Sequence, residues 1–131
     1  MAGWGTKSFE NEDAANWLTK LGTTTAEDLT RILSGAADSR DYLEAPPASV
    51  AVAAAEVVAA LQGAPAEGAP REIIEWTKKN PQASTPELKA LALRALDRVR
   101  RNSELKDLWL EADGLNDWIA AMQDLQIRVG T

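Results

Sequence analysis

Glu10, Asn11, Glu12 and Asp13 stand in a row near the start of the chain. Three carboxylates and an amide oxygen are the kind of donor set that takes Ca²⁺, Mg²⁺ or Mn²⁺. Their spacing does not fit an EF-hand loop, which needs ligands at alternate positions, a glycine at the sharp turn and a distant Glu. A structural use explains them more simply. Asn11 is a good helix N-cap, and Glu12 and Asp13 then fall in the first turn, where the helix dipole favours negative charge.

Glu56 is the second candidate, because it is the one charged residue between Val50 and Leu61. A carboxylate buried in such a helix costs several kcal/mol unless it is paired, hydrogen-bonded or protonated. A raised pKa is also how active-site acids are made. Against this, Ser49, Ala53, Glu56, Ala60 and Gly63 form a small-and-polar stripe at helical spacing. The stripe predicts that Glu56 sits at an edge that reaches solvent or lets another helix approach. Were it buried, the N-terminal arm or Arg71 would be its hydrogen-bond donors.

Arg94, Arg98 and Arg101 follow one helix face, with Arg100 beside them, and could grip a phosphate or an acidic partner. Near a helix C-terminus and with Asp97 at hand, they read first as a solvated face. The five Trp could line a ligand pocket, but at helical spacing they are expected in the core, Trp17 among them. Trp4 and Phe9 lie outside any helical period. They are expected to fold the arm back over the helix that holds Glu56, or else to form a binding surface. Gly3-Trp4-Gly5 is no phosphate loop, lacking the Gly-Lys-Ser/Thr end and a preceding strand.

Composition removes whole classes of chemistry. With 0 His and 0 Cys, the chain has no Ser-His-Asp triad, no thiolate nucleophile and none of the usual zinc or iron ligand sets. No catalytic residue is assigned and no cofactor is expected. A net charge of −6 argues against nucleic acid and anionic membranes as partners, since both are bound first through neutralised phosphates. The start of the chain shows no secretory signal pattern, so a cytoplasmic location is expected.

The elements that must position these residues read as helices. An alanine-rich chain with 5% aromatics leans towards helix rather than strand. After an ordered arm over residues 1–10, a helix capped by Asn11 carries Ala14, Trp17, Leu18 and Leu21 and stops at Gly22. Thr24 with Glu27 suggests a capping box for the next, bearing Leu29, Ile32 and Leu33 and ending at Gly35. Residues 36–45 read as a polar loop with acidic Asp38, Asp41 and Glu44, anchored by Tyr42 and Leu43. Pro46 and Pro47 open a helix that is apolar nearly all round, the expected central one. A flexible loop over 63–69 leads to a short helix from Pro70 to Lys79. Thr85-Pro86-Glu87 starts another, with Leu88, Leu91, Ala92, Ala95, Leu96 and Val99 on one stripe. Ser103 caps a helix with Leu105, Leu108, Trp109 and Ala112 inward, and Asp113-Gly114 breaks it. The last carries Trp118, Ile119, Met122, Leu125 and Val129. The expectation is an all-α bundle of six or seven helices forming one domain over residues 1–131.

Trp4-Gly5, Phe9-Glu10-Asn11-Glu12 and Trp17 resemble the opening of a bacterial family known as domain of unknown function 4259. That family begins with Trp-Gly and then Phe-Asp-Asn-Asp ahead of a helix with a Trp. The run from Ala53 to Ala60 is also similar to it, as are Asn102-Ser103-Glu104-Leu105, Leu108-Trp109, Trp118, Asp124-Leu125 and Arg128. The chain departs from the pattern at Glu10 and Glu12, which replace Asp, at Lys7-Ser8, where the family often has Gly-Pro, and at Asn16. The resemblance implies a single helical domain and no known activity. The expected function is therefore a non-catalytic protein-interaction, regulatory or immunity-type module with another protein as partner, a homo-oligomer being compatible with the same features. The alternatives are a carboxylate-based divalent-ion or hydrolytic site at Glu10, Glu12, Asp13 and Glu56, and an apolar small-molecule site between helices.

Overall fold

The structure is a computed structural model that describes residues 8–131. Seven helices fill it: α1 (Glu12–Leu18), α2 (Ala26–Ala37), α3 (Ala45–Leu61), α4 (Arg71–Lys79), α5 (Pro86–Arg101), α6 (Glu104–Glu111) and α7 (Leu115–Val129). Short 3-10 turns at Leu21–Thr23 and Pro81–Ala83 precede α2 and α5, and no strand occurs among the described residues. The all-α expectation holds. Among the described residues no helix is long and apolar enough to cross a membrane.

Helix α3 is the axis of the bundle, packing against all six other helices. Its sequence dictates this: every residue from Ala51 to Ala59 is buried, so it has no side left for water. Most of those side chains are alanine, which offers little area per residue but lets neighbouring backbones come close from every direction. The larger apolar area comes from the partners. Leu29 and Leu33 of α2, Leu96 and Val99 of α5, and Met122 and Leu125 of α7 are essentially inaccessible and belong to the same continuous core as Val57 and Val58. The expected stripe of α5 is buried throughout, and so is that of α7 apart from half-buried Ile119.

Several boundaries differ from the sequence reading. The capping box is Thr25 with Asp28, one residue later than Thr24 with Glu27, and hydrogen bonding from the Thr25 backbone N–H, then from its side chain, holds the Asp28 carboxyl below the usual range. Thr24 instead gives its carbonyl to the Trp76 indole N–H at 2.8 Å, a tertiary contact that local pattern does not reveal. Gly35 lies inside α2 rather than ending it, because the helix continues until Ala36 is buried. Helix α1 stops at Leu18, and Leu21 reaches the core from the 3-10 turn. On α6 only Leu105 is fully buried, Leu108 and Trp109 are partly covered, and Ala112 is exposed. A helix of 8 residues at the edge of a bundle covers less surface than its periodicity suggests.

Candidate functional site

Asn11 caps α1 through its side-chain oxygen, which accepts the Ala14 N–H at 2.9 Å, and Glu12 and Asp13 are exposed in the first turn. Among the described residues no group of three or more acidic side chains is arranged to hold a metal ion. Asn11 is the N-cap, and Glu12 and Asp13 lie where the helix dipole favours negative charge. Trp17 is partly buried against the core, and Phe9 packs there with it. Trp4 lies outside the described residues.

Glu56 is the expectation that changes most. It is 5% exposed, not at a solvent edge. The small side chains around it let other elements close over it, which the stripe of Ser49, Ala53 and Ala60 allowed. Its carboxylate is met from two directions. Arg128 of α7 binds it bidentately, Nη1 to Oε1 at 2.7 Å and Nη2 to Oε2 at 3.1 Å, and the Ser8 hydroxyl donates to Oε2 at 2.6 Å. The arm is therefore a donor as expected, whereas Arg71 is not: it pairs with Glu75 on its own helix. Arg128 is steadied by Asp124, which accepts from Nε at 2.8 Å one turn earlier on α7. Hydrogen bonding to Glu56 raises the guanidinium pKa further, with burial opposing and Asp124 reinforcing. Asp124 and Arg128 form an i,i+4 pair visible in the sequence. The pairing of Glu56 with Arg128, 72 residues apart, has no local signal.

This network lines a cleft of about 560 Å³ between residues 8–10, residues 66–70 and α7. Phe9, Pro70, Ala120 and Ala121 contribute apolar wall, and Glu10, Glu67 and Asp124 add carboxylates.

Arg94, Arg98 and Arg101 each meet an acceptor within the protein. Arg94 pairs with Asp38 at 2.9 Å and Arg101 with Asp97 at 3.1 Å, while Arg98 donates to the carbonyls of Asp41 and Asn102. Arg94 and Arg98 thereby hold the 38–41 loop to α5. The same loop is stitched to α6: the Glu104 N–H donates to the Leu43 carbonyl at 2.8 Å, and the Ala45 N–H donates to the Glu104 carboxylate at 2.7 Å. Leu43 is the buried anchor.

Tyr42, expected as a second anchor, turns outward instead at 52% exposure, and its hydroxyl donates to Asp107 at 2.5 Å. Residues 107, 110 and 111 share one face of α6, so Tyr42, Asp107, Leu110 and Glu111 form one surface. Leu110 is 58% exposed there. Glu104 lies near Tyr42, and Asp113 and Asp117 flank Leu110. Asp113 has φ 60, a left-handed conformation that asparagine and aspartate adopt more readily than most side chains. The turn it makes keeps Gly114 against the Trp109 ring, where a Cβ would come within 2.7 Å of Cε3. No sequence signal marked this surface, since it joins a loop to a helix 65 residues away.

The hydrogen bond to Asp107, followed by partial burial and the charges of Asp107, Glu104 and Glu111, pushes the Tyr42 phenol up to about 12. Tyr42 is the only tyrosine in the chain, so an ultraviolet titration reads it alone. Its ionisation is expected near pH 12, falling towards the ordinary value near 10 in Asp107→Asn. Because the folded pKa is the higher one, the contribution of this contact to stability is complete below pH 10 and is lost as the pH rises towards 12. A wild-type midpoint near 10 would show that the contact does not form in solution.

The model of the family described as domain of unknown function (DUF4259) matches residues 3–121. That span takes in the Trp-Gly opening, Glu56 and the whole of α6, while Asp124 and Arg128 fall just beyond it. No curated protein and no solved structure matches the chain.

Proposed function

The chain belongs to the domain of unknown function 4259 family, and we propose that it is a non-catalytic interaction module that docks a basic protein through the surface built by Tyr42 and α6. The observation that carries this reading is the company these apolar groups keep. Tyr42 and Leu110 are two of the three large hydrophobic residues exposed among the described residues, and carboxylates surround both. An apolar centre with a charged rim is the anatomy of a protein-binding surface, and rim charges of one sign select a partner of the other. Tyrosine is also a frequent energetic centre of interfaces, offering a large rigid area at small entropic cost. Held by Asp107 and a stitched loop, it needs little further ordering on binding.

The absence of His and Cys supports a non-catalytic role, as does the saturation of Glu56 and Arg128 by each other and by neighbouring side chains. A photo-crosslinking residue placed at Leu110 in the native host is expected to trap one partner with a basic surface. The same residue at exposed Ile127 is not expected to trap it. Equal trapping at both positions, or at Ile127 alone, would remove the basis for assigning the surface.

A further inference from the structure

Ser8 and Phe9 lie in the turn ahead of α1, and two unlike contacts hold them to the bundle. The Phe9 ring is half-buried against the main core. The Ser8 hydroxyl donates to Glu56 Oε2 at 2.6 Å, the length expected for a hydroxyl on an ionised carboxylate, and such bonds are roughly twice as strong as neutral ones. The acceptor itself is fixed. Glu56 lies inside α3, the axis of the bundle, and Arg128 clamps both of its oxygens. Residues 8–10 also form one wall of the cleft, with residues 66–70 and α7 as the others. Because residues 8–10 belong to no helix, this wall lacks the helical ladder of backbone bonds that secures α7. Segments with few buried contacts open at a small fraction of the free energy that unfolds a whole domain.

We propose that residues 8–10 are a strap latched by the charge of Glu56. Shut, the strap closes one side of the cleft and covers Glu56 Oε2; released, it removes that wall and uncovers the Glu56–Arg128 pair while the seven helices stay folded. The latch is chemical rather than steric. Its strength comes from the negative charge on the acceptor, so an uncharged side chain of the same size at position 56 releases the strap, as does loss of the Ser8 hydroxyl. Phe9 alone does not hold it. A ring that stays partly in water gains only part of the burial energy of a core aromatic, while ordering residues 8–10 costs entropy at every backbone bond. Tyr42 and α6 line no part of this cleft, so the strap is independent of the docking reading.

Backbone order parameters from nitrogen relaxation of the whole chain test the proposal, with the amide of Leu96, buried in α5, as internal reference. In wild type the amides of Phe9 and Glu10 are expected at about 0.85, the value of rigid backbone, and in Ser8→Ala and Glu56→Gln they should fall below about 0.6 with Leu96 unchanged. Ser8→Thr keeps a hydroxyl and should stay close to wild type. Should Glu56→Gln fail to fold, the two Ser8 variants decide the matter alone. Rigid amides at Phe9 and Glu10 in Ser8→Ala, an equal loss of order in Ser8→Thr, loosening that spreads to Leu96, or values below about 0.6 already in wild type would overturn the proposal.

Discussion

Arg128→Ala is expected to destabilise the protein by about 3–5 kcal/mol, the cost of leaving a buried carboxylate without its partner. Glu56 keeps only the Ser8 hydroxyl in that variant, and its side chain is 6% exposed. At this chain length such a loss lowers Tm by roughly 10–20 °C. The reverse change should be milder. In Glu56→Gln the guanidinium still has Asp124, lies nearer to solvent at 17% exposed, and can use the amide oxygen as an acceptor. Replacing both residues together, as Glu56→Leu with Arg128→Met, should recover most of the loss, since an apolar pair of similar volume has neither charge to desolvate. Denaturant unfolding of the three variants separates these cases. A loss below about 1 kcal/mol for Arg128→Ala, the range of exposed ion pairs, would mean that water reaches Glu56 freely.

Trp76→Ala carries the second large effect, about 3–5 kcal/mol, as for other buried aromatics. Trp76 is 4% exposed on α4, sits in the main core and reaches across to the turn before α2 through its indole N–H. Trp76→Phe should restore much of the packing and leave a deficit of about 1 kcal/mol from the unpaired Thr24 carbonyl. Thermal unfolding measures both. If Trp76→Phe were as damaging as Trp76→Ala, ring packing would count for little and the hydrogen bond for nearly everything.

Much of this architecture was legible in the residues. The α3 run announces a central helix because it offers no polar face, and the α5 stripe is buried as its period requires. Asn11, Thr85 and Ser103 all cap the helices they precede. What could not be read depends on contacts between residues far apart in the chain. The stripe around Glu56 suggested either solvent or a neighbouring helix, and only the fold shows α7 bringing Arg128 there. Tyr42 looked like an anchor because it is aromatic and adjacent to Leu43. The backbone turns between them, so one side chain goes in and the other comes out to meet Asp107. The arginines of α5 read as a solvated face with Asp97 as a local partner, and the sequence cannot show that Asp38 and the Asp41 carbonyl also come to meet them.

The carboxylate-rimmed pair of Tyr42 and Leu110 is the centre of the functional reading, and its docking role rests on apolar contact reinforced by charge. The most direct test is calorimetric titration of the partner trapped at Leu110 against wild type, Leu110→Asp and Ile127→Asp, each at low and high salt. The docking reading predicts an affinity that falls with salt, drops by about thirtyfold or more in Leu110→Asp, as expected for an interface hot spot, and is unchanged in Ile127→Asp. Equal affinity for wild type and Leu110→Asp, with no dependence on salt, would contradict it.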